Sequence, residues 1–370
     1  RLIGRPVRWV ESRTENLSAF VHGRAQAQTV TIGGTREGRV THYRLDVVQD
    51  CGAYPKWGAF LPEFTRQLAS GVYDIANLEF SAVSVATNTA PTCAYRGAGR
   101  PEATAAVERA MDLFAAEIGM DAVEVRRTNL LASEAFPYTT PTGTSMDSGD
   151  YEGSLDRALA AADYAGLRAE QQRRRAAGDP VHMGIGVATY VEITGFGGSE
   201  YGEVRLRDDG TVLASTGATP IGTGHHTTWA MIVADRLGVP LDSIEVFHGD
   251  TDVIPSGSTT GGSRSVQIAG SAMADASEKL VDLARQAAAD LLEAAPGDVV
   301  LDRERGAFHV AGTPSVARSW AEIAAAADEE LAGHIRQVLS ADLPPQNRSM
   351  LNERIFDTHS VRPPNLGGFA

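Results

Sequence analysis

Cysteine is nearly absent from this chain. Cys51 and Cys93 are the two in 370 residues; they form no metal-ligand spacing and no disulfide framework, which suits a reducing compartment. Long apolar runs are missing too, none approaching the ~18 residues of a membrane span. Positive charge is in deficit: 33 Lys and Arg stand against 47 Asp and Glu, a net charge of −14, which argues against a nucleic-acid surface. No nucleophile–base pairing and no His, Cys or carboxylate cluster at ligand spacing occurs. No Gly-x-Gly-x-x-Gly opens a βαβ unit with an acidic residue ~20 positions on, so a Rossmann site does not fit. What remains is globular, 43% hydrophobic and 22% charged, and too long for one ordinary core, so two domains are expected.

The ends carry their own expectation. The chain opens at Arg1 without Met or signal peptide, Arg1-Leu2-Ile3-Gly4-Arg5-Pro6 reads as a helix C-terminus capped by Gly4, and Pro363-Pro364-Asn365-Leu366-Gly367-Gly368 enters a turn. The expectation is an internal piece of a longer protein, for which a missing targeting signal says little about location.

Between the ends, patterning predicts strands at Val7–Glu11, Arg24–Ile32, Arg39–Gln49 and Leu78–Ala86, the second and third forming a hairpin. Residues 56–70 read as helical. Ala106, Ala110, Leu113, Phe114 and Ile118 mark a helix over Glu102–Ile118, ended by Gly119. Asp121, with Glu124 three residues later, starts another. Residues 132–150, rich in Pro, Thr, Ser and Gly, read as a connection, and Tyr151–Ala177 as helical. Further on come strands at Met183–Glu192, Gly202–Arg207 and Thr211–Ser215, with Asp208-Asp209-Gly210 as a hairpin turn. A helix to Leu237, a strand at Ile244–His248, a long helix over about Val266–Ala294, a hairpin at Val299–Leu301 and Ala307–Val310, a helix over Ser319–Ala327 and irregular chain at 340–354 complete the reading.

Three glycine-rich junctions stand out, at residues 94–100, 217–228 and 259–265. Each leads into a helix, where exposed backbone N–H groups and the helix dipole favour an anion. One such loop usually only reverses the chain; three suggest a large anionic cofactor held mainly by backbone. Arg96 and Arg100 flank the first loop. Ser263 and Ser265 in the third are also ordinary N-cap residues. Asp50 is read as a turn carboxylate. The tandem His225-His226 is not read as a metal site, because adjacent helix residues face different ways.

The run Ala94-Tyr95-Arg96-Gly97-Ala98-Gly99-Arg100 resembles the active-site loop of the large, molybdenum-binding subunit of the xanthine dehydrogenase / aldehyde oxidase / carbon monoxide dehydrogenase family, and most resembles the form II-like branch of the last. Asp50, Gly52, Ala53 and Tyr54 match a family motif, and the stretch Glu117–Leu131 is also similar. The resemblance implies an α+β fold of two molybdopterin-binding domains with mixed sheets and packed helices. Residues 1–140 would form the first, 141–180 a helical connection, and 181–370 the second, incomplete at its C-terminal end. It implies molybdenum–molybdopterin cytosine dinucleotide as cofactor, contacted by Tyr95, Arg96, Gly97, Ala98, Gly222, Thr223, Gly224, Gly262, Ser263 and Ser265, with no direct protein ligand to the metal. Arg96 is the catalytic candidate, placed to stabilise negative charge.

The implied activity is hydroxylation of an aldehyde or N-heterocycle carbon with water as oxygen source. Electrons would leave through [2Fe-2S] clusters on a small subunit to FAD on a medium subunit, in a dimer of heterotrimers in the bacterial cytoplasm. This chain departs from the pattern in several places. Gly97 stands where carbon monoxide dehydrogenases carry a copper-binding Cys, which argues against CO. Thr223 stands where the family has a Gln that contacts the molybdenum centre. Ala98 replaces an aromatic that sandwiches purines, and Phe64, with Arg66 nearby, falls where xanthine-type enzymes place a substrate-polarising Arg. The family's general-base Glu, from a Gly-Glu motif near the C-terminus of the subunit, lies outside this chain, so the piece alone is expected to be inactive. The alternative is a non-catalytic molybdopterin-binding scaffold or carrier.

Overall fold

The computed structural model describes residues 3–5, 7–195, 199–257 and 260–326. The expectations for Arg1, Leu2, Pro6, Thr259 and residues 327–370, the 340–354 segment and terminal turn included, lie outside the described residues. The chain divides into two units, Arg1–Glu192 and Ile193–Ala370.

The first unit opens with α1 (Arg13–Ala19), closed by a reciprocal cap between Ser12 and Glu15. The expected strand at Val7–Glu11 is not formed: Val7, Trp9 and Val10 are exposed and no ladder reaches them. The hairpin is formed by β1 (Gln26–Gly34) and β2 (Val40–Asp50). The chain then crosses over through a 3₁₀ turn and α2 (Leu61–Gln67) to β3 (Asn77–Val85), which pairs parallel to β2. α3 (Arg100–Ile118) lies on β1. Gly119 ends it in the left-handed region, and Asp121 caps α4 (Ala122–Asn129), both as patterning predicts. Val40, Leu45 and Val47 of β2 meet Ala106, Val107, Ala110 and Met111 of α3 in the core. A short hairpin, β4 (Tyr138–Thr139) and β5 (Ser145–Met146), follows. The expected single helical stretch is two helices, α5 (Tyr151–Ala161) and α6 (Tyr164–Ala176), because Asp163 turns left-handed and caps the second.

The predicted strand at Met183–Glu192 is a correction. Burial alternates along it, but it joins no ladder. Side chains hold it instead: the Thr189 N–H donates to Glu108 Oε2 (3.1 Å) and Glu192 pairs with Arg100. Alternation reports a half-buried extended chain, whatever packs against it.

The second unit repeats the layout of the first. β6 (Gly202–Leu206) and β7 (Val212–Thr216) form a hairpin, α7 (His225–Leu237) crosses over to β8 (Ile244–His248) parallel to β7, and a long helix lies on β6. That helix begins with a π turn over Ser265–Ala269 and continues as α8 (Gly270–Leu291). Gly270 faces Ile232 of α7, where a Cβ would be tighter than contact distance. A meander of β9 (Val299–Asp302), β10 (Ala307–Val310) and β11 (Ala317–Ser319) precedes α9 (Trp320–Ala326). Trp320 meets Phe308 edge-on and donates to the Leu237 carbonyl (2.9 Å), joining the meander to α7. The expected α+β class with small mixed sheets is the class observed.

Each unit is thus a hairpin, a crossover helix, a parallel third strand and a long helix. The parallel strands end side by side, Asp50 opposite Val85 and Thr216 opposite His248. Ligands of open sheets gather outside such carboxyl ends. Four loops leave from these ends, and the three glycine-rich junctions lie on three of them.

Candidate functional site

In the first unit, Ala94–Arg100 is a double turn. The Ala98 N–H donates to the Tyr95 carbonyl (2.6 Å) and the Arg100 N–H to the Gly97 carbonyl (3.1 Å). Gly97 and Gly99 take φ of +86° and +81°, which side chains rarely tolerate. A Cβ at Gly99 would collide with Phe64 Cβ, so Phe64 serves as the floor of the loop. No side chain caps α3: its first N–H, from Arg100, is taken by the Gly97 carbonyl, and Pro101, which follows, has none.

The two flanking arginines part company. Arg100 folds inward, 4% exposed, with Nη2 2.5 Å from Glu192 Oε1 and Nη1 3.3 Å from the Ala98 carbonyl. Arg96 points outward, and no carboxylate among the described residues pairs with it. Arg66 is occupied by Glu63 (2.6 Å) and the Thr142 carbonyl (2.6 Å).

Arg24 is a residue that sequence reasoning missed. Its guanidinium donates to the Arg96 carbonyl, pairs with Glu102 on α3 (3.0 Å), and sits 5.1 Å over the Tyr95 ring. It braces the loop from two residues before β1, and nothing in its local sequence signals that. Asp50 behaves as the turn carboxylate expected of it. It accepts from the Thr87 hydroxyl (2.7 Å), the Gly52 N–H (2.8 Å) and the Thr89 hydroxyl (3.2 Å). The Thr87 bond first, then the Gly52 N–H, hold its pKa below the ordinary carboxylate range. It thereby knits the roots of the two loops that follow β2 and β3.

In the second unit the other two loops are tied together. The Thr260 hydroxyl donates to the Thr219 carbonyl (2.6 Å), and the Ser265 hydroxyl to Thr260 Oγ1 (3.1 Å). The Trp229 indole N–H donates to the Ser265 carbonyl (3.0 Å). His225 stacks on Trp229 with centroids 5.0 Å apart, and its Nδ1 lies 3.0 Å from Thr223 Oγ1. Gly222 and Gly224 take φ of +86° and +78°, and a Cβ at either would meet nothing within 4 Å. Gly262 and Ser263 follow each other at φ +67° and +55°. Ser263 in the left-handed region followed by Arg264 in the right-handed one is the backbone of an anion-binding nest. The arrangement fits an anionic group: open backbone above two glycines, an uncapped α7 and two hydroxyls in one unit.

The tandem histidines diverge as expected. His225 faces inward, and burial lowers its pKa. His226 reaches outward to His248, with Nε2 atoms 3.2 Å apart. Burial, then the charge of His226, lower the His248 pKa. Among the described residues no group of three or more His, Cys, Asp or Glu could hold a metal ion, and no helix is long and apolar enough to cross a membrane. A cleft of about 530 Å³ lies at the far end of α7, against Gly238, Arg303 and Arg305, away from the loops.

Comparison with known proteins identifies the family of the domains that carry these loops. Two family models, both described as molybdopterin cofactor-binding domain, match residues 1–130 and 157–350. The carbon monoxide dehydrogenase large chain of Hydrogenophaga pseudoflava is 39% identical over 339 residues, covering 87% of this chain and 42% of that protein. The 6-hydroxypseudooxynicotine dehydrogenase complex subunit gamma of Paenarthrobacter nicotinovorans is 35% identical, covering 89% of this chain and 41% of that one. Among solved structures, quinoline 2-oxidoreductase from Pseudomonas putida 86 superposes with a TM-score of 0.82 at 30% identity, over 93% of this chain and 44% of the other. The chain therefore spans less than half the length of the relatives it matches.

Proposed function

The chain belongs to the molybdopterin cofactor-binding family that includes carbon monoxide dehydrogenase large chains and xanthine dehydrogenase molybdenum-binding subunits, and on that premise we propose that it is the cofactor-holding part of a molybdenum hydroxylase acting on an N-heterocycle or aldehyde carbon. The observation that carries this reading is the tied pair of loops in the second unit, with its open glycines and uncapped helix. When bound, molybdenum–molybdopterin cytosine dinucleotide supplies the redox and oxygen-transfer chemistry, with water as the oxygen source.

The chain's own residues hold and orient that group. Gly222, Thr223 and Gly224 offer backbone and one hydroxyl at the start of α7. Gly262, Ser263 and Ser265 offer the nest and hydroxyls at the start of the long helix. In the first unit Tyr95, Gly97 and Ala98 present the turn, and Arg96 supplies a positive charge that stabilises negative charge arising on the substrate side. Electrons leave to a [2Fe-2S] small subunit and an FAD medium subunit, in a cytoplasmic dimer of heterotrimers. Gly97 in place of a copper-binding Cys disfavours CO. Relatives named for quinoline and for a nicotine derivative support an N-heterocycle.

The test is molybdenum and released cytidine monophosphate per chain, on the full-length subunit expressed with its partner subunits. Near-stoichiometric values of both are expected. Absence of both from a soluble, assembled complex would sink this reading and favour a scaffold or carrier. In a loaded complex, Arg96→Ala should sharply lower turnover, and unchanged kinetics would remove Arg96 from the catalytic role.

A further inference from the structure

We propose that His225 is a positioning residue for the cofactor cradle: through Nδ1 it sets the direction of the Thr223 hydroxyl, making that group a fixed donor toward the anionic cofactor. The inference rests on the functional reading above.

Thr223 stands between Gly222 and Gly224, and open space lies above both glycines. A threonine hydroxyl beside the first turn of a helix commonly caps it. This one does not: α7 has no side-chain cap, and Thr223 Oγ1 lies 3.0 Å from His225 Nδ1. The first N–H groups of α7 are thereby kept for a ligand, while the hydroxyl is committed to the imidazole.

The imidazole is itself held. His225 is 9% exposed, and its ring lies on Trp229 with planes 30° apart. Trp229 is fully buried and anchored by its N–H to the Ser265 carbonyl. The direction of the Thr223 O–H then follows from the ring tautomer. With the proton on Nε2, Thr223 donates to the ring and offers only lone pairs outward. With the proton on Nδ1, the ring donates, Thr223 accepts, and its O–H is directed away from the ring. An anion over the loop selects the second arrangement, because only that one presents a hydrogen.

The experiment uses the full-length subunit in its assembled complex and reads retention of molybdenum and nucleotide during timed dialysis, independently of turnover. His225→Phe keeps a ring on Trp229 and removes both nitrogens. His225→Phe and Thr223→Val should each lose cofactor about tenfold faster, the scale of one charge-assisted hydrogen bond. The double variant should be no worse than either single one. His225→Asn carries an amide donor near the place of Nδ1 and should restore retention, as should Thr223→Ser. His225→Gln places its amide nearer Nε2 and should not. Wild-type retention in His225→Phe, or losses that multiply in the double variant, would overturn the inference. If His225→Phe does not assemble, the Asn and Gln variants decide, and equal behaviour of those two overturns it. A wild-type complex without molybdenum overturns the functional reading and this inference with it. A loaded wild type with unchanged His225→Phe overturns this inference alone.

Discussion

Gly99 shows how much one backbone position can require. It combines φ of +81° with Phe64 packed where a Cβ would go. Gly99→Ala should therefore destabilise the first unit by about 1–3 kcal/mol, readable as a shift in denaturant midpoint. A change below about 0.5 kcal/mol, the range of ordinary surface substitutions, would show that Phe64 and the loop relax freely. His248 carries a pH dependence with a definite sign. Its pKa in the fold is lowered, by burial first and by the charge of His226 second, so the unfolded chain takes up its proton more readily. The stabilisation from this group is present above the unfolded value of about 6.5 and is lost as pH falls through the folded value. The second unit should melt earlier as pH drops below about 6.5, and His248→Gln should flatten that slope. An unaltered slope in the variant would assign the acid sensitivity elsewhere.

At the scale of elements, α3 and α4 are joined by a buried charge. Arg126 is fully buried, with Nε 2.8 Å from Glu108 Oε2 and Nη2 2.9 Å from Asp112 Oδ1. Glu108 also accepts from the Tyr73 hydroxyl (2.5 Å) and from Thr189. Arg126→Ala leaves that carboxylate without its cation, and should cost about 3–5 kcal/mol. Arg126→Met combined with Glu108→Leu should cost less, because the buried Glu108 carboxylate goes with its cation and only the partly exposed Asp112 loses its partner. Equal losses in the two variants, measured by denaturation, would mean that packing rather than charge dominates. Legibility follows the same division between local and distant causes. α3 was readable from apolar spacing and Gly119 at its end, α4 from Asp121 and Glu124 at its start, and α7 from the glycine-rich junction before it. The cap at Ser12 and Glu15 was equally local and went unread, displaced by the apolar look of Val7–Val10. Met183–Glu192 misled because its alternation is real while its partners are the side chains of Arg100 and Glu108. The glycine loops were legible because left-handed turns demand glycine. The inward turn of Arg100, the brace from Arg24 and the link from Trp229 to Ser265 join residues far apart in sequence, and no local pattern encodes them.

Across the molecule, two units with unrelated loop sequences share one plan. In each, a hairpin, a crossover helix and a parallel strand bring two loop roots to neighbouring ladder positions, Asp50 beside Val85 and Thr216 beside His248. Hydrogen-bonded strands keep a spacing of about 4.8 Å whatever their sequence. The separation of the loop roots is therefore set by the peptide backbone and does not drift as side chains change. Reach is a different variable, controlled by the number of residues between root and helix. Insertions between Gly217 and Gly224, or between Gly249 and Gly262, would alter how far each arm extends while its anchorage stays put. Tailoring such a protein to a bulkier or a slimmer occupant is thus a matter of arm length, open to library selection without redesign of the sheet.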